Sequence, residues 1–141
     1  MLNMMMEKAD ELNIFCACYF ELINKGKIKM DADSSSLTPV GKVFSIMKNH
    51  INGRICCADY RRGIMATEKD GIITMTLLNE NLDDSKSFRF KKQEKQAEIT
   101  VYTSASVLTF SDFEEKTVKA VECEDMYTVN VPPHSIAAVR I

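Results

Sequence analysis

Carboxylate side chains that could move protons are the first chemical feature of this sequence. Three close pairs occur: Asp83 and Asp84, Glu114 and Glu115, and Glu122 and Glu124. Two neighbouring carboxyl groups can act as a general acid and a general base when their surroundings separate their pKa values. These pairs fall in predicted turns and hairpin ends, so we expect them to be solvated surface groups and predict no proton-transfer site there.

Cysteine and histidine are the other candidate nucleophiles and metal ligands. The chain has five cysteines and two histidines: Cys16, Cys18, Cys56, Cys57, Cys123, His50 and His134. No C-x-x-C pair occurs, the spacings do not suit tetrahedral zinc, and no Ser-His-Asp or Cys-His arrangement is indicated. We therefore expect buried free thiols, with His50 at a helix end and His134 in a Pro-Pro turn, both in structural roles.

Two short stretches resemble ligand sites only in part. The loop 31–36 begins as Asp-x-Asp but lacks the Gly and the terminal Glu of a calcium loop. The stretch 86–95 has five cations and one anion, and Phe88 and Phe90 alternate in it with polar residues. A single-stranded nucleic-acid platform combines such residues, but a strand with one buried face does so as well. We expect the strand, and predict no metal, no cofactor and no nucleic-acid partner.

Length and charge exclude several classes of protein. The 141 residues carry 18 Lys+Arg and 20 Asp+Glu, a net charge of −2, unlike a strongly basic phosphate-binding domain. The longest apolar run, residues 14–20, is far shorter than the ~20 residues of a membrane helix, and a complete (β/α)8 barrel needs about 250 residues. Free thiols and the lack of a visible signal peptide predict the cytoplasm, unless a signal lies upstream of Met1.

The first third of the chain predicts helices around one apolar strand. Good helix formers occupy residues 4–13, and a nearly continuous apolar stretch of strand length follows to Asn24. A helix continuing through Glu21 is the alternative for that stretch. Thr38 as N-cap and Pro39 at the first helical position predict a second helix over residues 40–50, which ends before Gly53.

From Arg54 onward the hydrophobic period changes to two, which predicts short strands separated by turns. The predicted strands are 54–61, 64–68, 72–80, 87–90, 97–103, 107–110, 117–122, 126–131 and 135–141. Within 72–79, Ile73, Met75 and Leu77 share one parity, and Thr74 and Thr76 the other. The pattern predicts a mainly β fold, an antiparallel, jelly-roll-like β-sandwich preceded by one or two helices and a strand.

Three motifs in this order resemble the carboxy-terminal part of a glycoside hydrolase. They are ADELNIFCACYFELIN, then Leu-Thr-Pro at 37–39 with Met-Lys-Asn-His at 47–50, and finally VPPHSIAAVRI. The order is similar to that in family 51 α-L-arabinofuranosidases, which belong to the clan of retaining barrel enzymes. The resemblance implies that residues 1–53 are a remnant of the last barrel strand and helix, and that residues 54–141 are the carboxy-terminal β-sandwich domain.

The same resemblance implies that the catalytic groups lie outside this sequence. Retaining hydrolysis needs two carboxyl groups about 5–5.5 Å apart, one as acid/base and one as nucleophile. In the clan they follow the fourth and seventh barrel strands, whereas the resemblance begins only before the eighth. No catalytic residue is carried over. Glu21, at the end of the barrel-like strand, could line the sugar pocket of an intact parent, and a solvent-facing role is the alternative.

Two hypotheses of function follow. In the first, the chain is a non-catalytic accessory domain of a glycoside hydrolase, with the catalytic barrel of the parent enzyme as its partner. In the second, it is a stand-alone carbohydrate-binding module, although Trp is absent and the Tyr and Phe residues lie mostly in apolar runs. A truncated product without activity is a third reading. A single severed barrel strand exposes apolar surface, so we expect residues 4–24 to form a helix on the sandwich, to join an edge strand, or to make a homo-oligomer contact.

Overall fold

The computed structural model describes residues 2–8, 11–13, 28–30, 32–93, 96–104 and 113–141. The helices are α1 (Leu2–Glu7) and α2 (Pro39–Met47), and a 3-10 turn, Lys48–His50, continues α2. The strands are β1 (Ile28–Met30), β2 (Ser35–Leu37), β3 (Arg54–Asp59), β4 (Ile64–Lys69), β5 (Ile72–Asn79), β6 (Lys86–Lys91), β7 (Glu98–Thr103), β8 (Glu114–Val118), β9 (Val121–Cys123), β10 (Met126–Val131) and β11 (Ser135–Arg140).

Helix α2 begins where its sequence signals place it. The Thr38 hydroxyl accepts a hydrogen bond from the backbone N–H of Gly41 at 3.1 Å, and Pro39 occupies the first turn. The cap satisfies one of the N–H groups that a helix start leaves unpaired, and proline has no N–H there to lose. The predicted second helix is therefore confirmed, with its last turn tightened to a 3-10 turn.

The strands form two larger antiparallel sheets and one hairpin. The six-stranded sheet has the order β3-β4-β5-β11-β7-β8, and the three-stranded sheet has the order β6-β10-β9. Among the described strands, β1 and β2 pair with each other alone. The chain is thus mainly β, and the predicted antiparallel sandwich is confirmed.

The core lies between the two larger sheets. Met75, Leu77, Val101 and Val139 of the six-stranded sheet belong to one buried cluster with residues of the other sheet. The residues contributed by the three-stranded sheet are Phe88, Val129 and Val131. Because side chains alternate along a strand, this inner face fixes the orientation of every other residue in β5, β7 and β11. The Thr residues of β5 consequently lie on the opposite, outer face.

Two turns show how local sequence sets the strand register. Asp70 and Gly71 join β4 to β5, and both have positive φ, 54° and 75°. A two-residue hairpin with positive φ at both positions favours Asp-Gly. Gly63 (φ 71°) directly precedes β4, and a Cβ there would lie 2.3 Å from the carbonyl oxygen of Leu78. Only glycine fits that approach, which lets the Leu78 N–H donate to the Gly63 carbonyl at 2.7 Å.

The predicted strands agree with the observed ones in all but one of the described stretches. Residues 117–122 were expected to form a single strand, but the chain leaves β8 after Val118 and enters β9 at Val121. The two halves belong to different sheets, so the break at residues 119–120 carries the chain across the sandwich. The strand predicted at 107–110 lies outside the described residues.

Part of the amino-terminal segment can be compared with its prediction. The predicted helix 4–13 is shorter in the structure, where α1 ends at Glu7. Helix α1 packs against β3, and the Glu7 carboxylate accepts a hydrogen bond from the Tyr60 N–H at 2.7 Å. The described part of the segment is thus a helix on the sandwich. The apolar stretch 14–24, including Glu21, lies outside the described residues. No helix in the described ranges is long and apolar enough to cross a membrane.

Candidate functional site

The outer face of the six-stranded sheet carries rows of polar side chains, fixed by the strand register. Arg140 of β11 stands between Thr74 of β5 and Glu98 of β7. Two residues along, Ala138 stands between Thr76 and Thr100. The parity that makes Met75 and Val139 part of the core therefore places hydroxyl and charged groups on this face.

Helix α2 and its 3-10 turn cover one part of the outer face through a buried histidine. His50 is only 3% exposed, and its ring nitrogens Nδ1 and Nε2 lie 2.9 and 2.8 Å from the hydroxyl oxygens of Thr67 and Thr76. A neutral imidazole has one N–H donor and one acceptor nitrogen, and a hydroxyl can serve either, so both contacts are satisfied. Burial lowers the pKa of His50, because the charged form would lose its hydration.

A second contact fixes the other end of the helix. Lys42 on α2 forms an ion pair with Glu115 on β8, with a 3.5 Å separation of Nζ and Oε1. The helix thus lies across the sheet from β8 to the β4–β5 pair. The structural role of His50 is to join the 3-10 turn that follows α2 to strands β4 and β5.

Two exposed apolar side chains, Val40 in α2 and Ile51 just after its 3-10 turn, define what we call the open side of α2. Val43 and Met47 are half-buried. Val40 is 40% exposed and Ile51 is 62% exposed. A helix on the surface of a finished domain normally presents polar residues to water. Here the sequence places apolar side chains where the described chain offers little to cover them.

A cleft of about 460 Å³ opens on the outer face beside α2. Thr74, Thr100 and Ala138 line it from the sheet, and Arg140 and Glu98 stand along one row. It is also lined by Lys69 and Asp70 at the β4–β5 hairpin, by Asn49 of the 3-10 turn, and by Tyr102. Its volume lies within the range of about 300–1,000 Å³ common for small-molecule sites.

Tyr102 separates this cleft from a smaller one under the helix. The second cleft, about 230 Å³, is also lined by Tyr102 and Asn49, together with Lys42 and Glu115. Burial raises the pKa of the Tyr102 phenol, and the nearby Glu115 carboxylate raises it further. The phenol therefore stays protonated and is available as a hydrogen-bond donor.

A polar cluster at the other end of the sheet is fully occupied with internal bonds. Asn79, 1% exposed, directs its Nδ2 to the carbonyl oxygens of Asp84, Val131 and Pro132 at 2.8–2.9 Å. Its Oδ1 accepts from the Asn81 N–H at 3.1 Å. This side chain ties β5 to the segment that joins β10 and β11. Its N–H donors are used and it is 1% exposed, so a ligand cannot reach it.

The structure places the six predicted surface carboxylates on the surface, as expected. Asp83, Asp84, Glu114, Glu115, Glu122 and Glu124 are all exposed. Glu115 pairs with Lys42, and Glu122 pairs with Lys92. Glu114 and Glu115 differ from the prediction in position, since they begin the edge strand β8 and do not lie in a turn. Within the described ranges, no group of three or more His, Cys, Asp or Glu side chains could hold a metal ion.

The expectation of buried thiols is wrong for the three cysteines that the structure describes. Cys56, Cys57 and Cys123 are exposed and free. Cys56 and Cys57 lie in β3, the edge strand, where the register shifts between Ile55 and Cys57. A bulge interrupts the alternation of buried and exposed positions, so the sequence pattern did not indicate the exposure. Cys16 and Cys18 lie outside the described residues.

Glu21 and His134 are the two remaining residues for which the sequence predicted a role. Glu21 lies outside the described residues, so its assignment as a pocket-lining group stays a prediction. His134 follows Pro132 and Pro133 with φ 52°, in the expected turn before β11. Its Nδ1 is buried without a hydrogen-bond partner, the one such side-chain atom among the residues described.

The basic stretch 86–95 is largely the strand β6. Phe88 is buried and Phe90 half-buried, whereas Ser87 and Arg89 between them are exposed. The Phe90 ring lies 5.7 Å from the Tyr127 ring of β10. The aromatic residues therefore belong to the sandwich core, which agrees with the expected strand. The cleft on the outer face, by contrast, was not predicted, because its residues come from four separate segments of sequence.

Comparison with known proteins gives similarity in structure alone. No family model matches the sequence, and no curated protein matches it. The catalytic domain of a GH30 xylanase C from Talaromyces cellulolyticus is similar with a TM-score of 0.58 and 13% identity, over 82% of this chain and 27% of that one. A crystal structure of an arabinofuranosidase is similar with a TM-score of 0.57 and 16% identity, over 82% of this chain and 31% of that one. The chain thus spans less than a third of either neighbour, and it has a fold found within glycoside hydrolase chains.

Proposed function

We propose that this chain is a non-catalytic, carboxy-terminal accessory part of a glycoside hydrolase related to the family 51 α-L-arabinofuranosidases, and that it packs on a catalytic barrel. Two structural neighbours with glycoside hydrolase names support the general class. One is called an arabinofuranosidase and the other a GH30 xylanase. The proposed relationship to family 51 in particular therefore depends on the three sequence motifs. The proposal includes the division of the chain into a barrel remnant, residues 1–53, and a β-sandwich domain, residues 54–141.

The open apolar side of α2 is the observation that carries this proposal. Lys42 and the 3-10 turn residue His50 fix the helix to the sheet, while Val40 in its first turn and Ile51 just after the 3-10 turn are 40% and 62% exposed. Contiguous exposed apolar surface marks a place where another protein surface packs. A last barrel helix has this character, because it packs on the barrel wall and on its neighbouring helices as well as on the sandwich.

Self-association of the purified chain tests the docking surface. Without its partner, the open side of α2 should associate with a second copy at high protein concentration. We expect light scattering to show that Val40→Glu with Ile51→Glu reduces this association. Leu82→Glu is the matched control, because Leu82 is 61% exposed but lies in the loop between β5 and β6. Association unaffected by the double change, or removed equally by the control, would argue against the surface.

Activity assays test the non-catalytic part. Aryl α-L-arabinofuranosides and aryl β-D-xylosides release a chromophore on hydrolysis, and we expect no turnover above buffer. The physical reason is that retaining hydrolysis needs two carboxyl groups in a protected pocket, about 5–5.5 Å apart. Robust turnover that persists in Glu21→Gln would overturn the claim that the catalytic groups lie elsewhere.

A further inference from the structure

The polar side chains of the outer-face cleft are free of internal bonds. Thr74, Thr100, Glu98, Arg140 and Asn49 line the cleft, and none of them makes a side-chain hydrogen bond or ion pair with another residue that the structure describes. Thr74 and Thr100 are half-buried. Half-buried hydroxyl groups without a partner retain their full capacity to bind a ligand.

The shape of the cleft follows from a small residue at its centre. Ala138 stands between Thr76 and Thr100, and its methyl group leaves a depression between the longer side chains of Tyr102 and Arg140. Residues i and i+2 on one strand, and facing residues on the next, lie about 5–7 Å apart on a sheet face. The hydroxyl, guanidinium and phenol groups that line the cleft are thus close enough together to contact one small ligand.

The charges of the cleft favour a neutral ligand. Lys69 and Arg140 supply two positive charges, and Asp70 and Glu98 supply two negative ones. Arg140 and Glu98 face each other across β11 and β7 without forming an ion pair. A guanidinium and a carboxylate held side by side can donate to and accept from adjacent hydroxyl groups of one polyol.

We propose that the outer-face cleft binds a neutral carbohydrate, with Tyr102 as the aromatic wall and Thr100, Arg140 and Glu98 as hydrogen-bonding groups. The ring of Tyr102 offers an apolar face to the C–H groups of a sugar, and its protonated phenol can donate. This goes beyond the proposed function, since the cleft lies beside α2 and not on the open side of that helix. A sugar site here would hold a polymer against the parent enzyme.

Titration of the full chain with xylotetraose tests the proposal, and arabinotetraose and trigalacturonate serve as neutral and anionic comparisons. Calorimetry or NMR should give saturable binding of a neutral oligosaccharide with a dissociation constant of about 1 mM or below. Thr100→Val, which keeps the size of the side chain, and Arg140→Met should each weaken binding at least about tenfold. Ala138→Leu should fill the depression and abolish binding.

Control substitutions outside the cleft test whether a loss of affinity is specific to the cleft residues. Thr117 faces Thr100 from β8 but lies outside the cleft, so Thr117→Val should leave affinity unchanged. Tyr60→Ala removes an exposed aromatic from another part of the surface and should do the same. The proposal is overturned if no neutral sugar binds up to about 10 mM, if Thr100→Val binds as the unchanged chain does, or if trigalacturonate binds more tightly. The self-association and activity assays are independent of these results, so failure of the sugar site is distinguishable from failure of the accessory role.

Discussion

The two faces of the six-stranded sheet differ in how completely other parts of the chain cover and pair their side chains. On the inner face, Leu77, Val101 and Val139 are at most 3% exposed in one continuous core. On the outer face, one part is covered by the His50 turn and α2, and the remainder is an open cleft with unpaired polar groups. The contrast shows that the sandwich is closed toward its own second sheet, whereas polar groups on the opposite side have no partner among the described residues.

The largest expected difference in stability between the two faces is that between two neighbouring leucine substitutions. Leu77, 1% exposed, faces the core, and its neighbour Leu78 is half-buried on the outer parity. Leu77→Ala should lower the free energy of unfolding by about 3 kcal/mol, since it removes buried methyl groups and leaves a cavity. Leu78→Ala should cost about 1 kcal/mol. Equal losses in denaturant titrations would show that the two faces are not energetically distinct.

The second prediction concerns the occupied polar cluster. Asn79→Ala leaves the carbonyl groups of Asp84, Val131 and Pro132 without this donor, and should cost about 2 kcal/mol of unfolding free energy. Asn81→Ala changes an exposed side chain in the same turn and should cost less than about 0.5 kcal/mol. Thermal or chemical unfolding of the two variants measures the difference. If Asn79→Ala left the free energy of unfolding unchanged, the cluster would not stabilise the connection between β10 and β11.

The joint between α2 and the sheet predicts a pH dependence. The folded-state pKa of His50 is lowered by burial, so the unfolded chain binds a proton more readily. Stability should therefore be fully present above the unfolded pKa of about 6.5 and decline as the pH falls below it. A single group contributes a slope of at most about 1.4 kcal/mol per pH unit.

Comparison with His50→Gln isolates this contribution. Glutamine can still reach a threonine hydroxyl but does not titrate, so the stability difference between the two proteins should change between about pH 7.5 and 5.5. Unfolding midpoints across this range provide the measurement. A pH-independent difference would mean that the ring is hydrated and that the helix is not closed onto Thr67 and Thr76.

The smallest effect is expected for the exposed end of the same joint. Glu115→Gln removes the ion pair with Lys42 and should cost about 0.5 kcal/mol or less, because Glu115 is exposed and the pair is screened by solvent. Glu114→Gln, one residue earlier on β8 and outside that pair, is the matched control. A loss above about 2 kcal/mol for Glu115→Gln would identify the ion pair, and not His50, as the main attachment of α2.

Much of the local structure was predictable because it depends on neighbouring residues. Thr38 and Pro39 predicted the start of α2, the break between the predicted strands 64–68 and 72–80 predicted a turn, and the parity of Met75 and Leu77 predicted which face of β5 is buried. These signals act within a turn of helix or a few residues of strand. The exposed thiols of Cys56 and Cys57 were missed, since a bulge in an edge strand depends on its partner strand.

The sequence by itself determined the class of fold, the start of α2 and most of the described strands after residue 54. Only the tertiary structure decided which polar residues are paired and which are free. His50 reaches Thr67 and Thr76 across 17 and 26 residues, and the cleft joins Thr74, Glu98 and Arg140 from three strands. Periodicity reports which face of a strand a side chain is on, whereas its contacts across the sheet depend on strand order and on the path of α2.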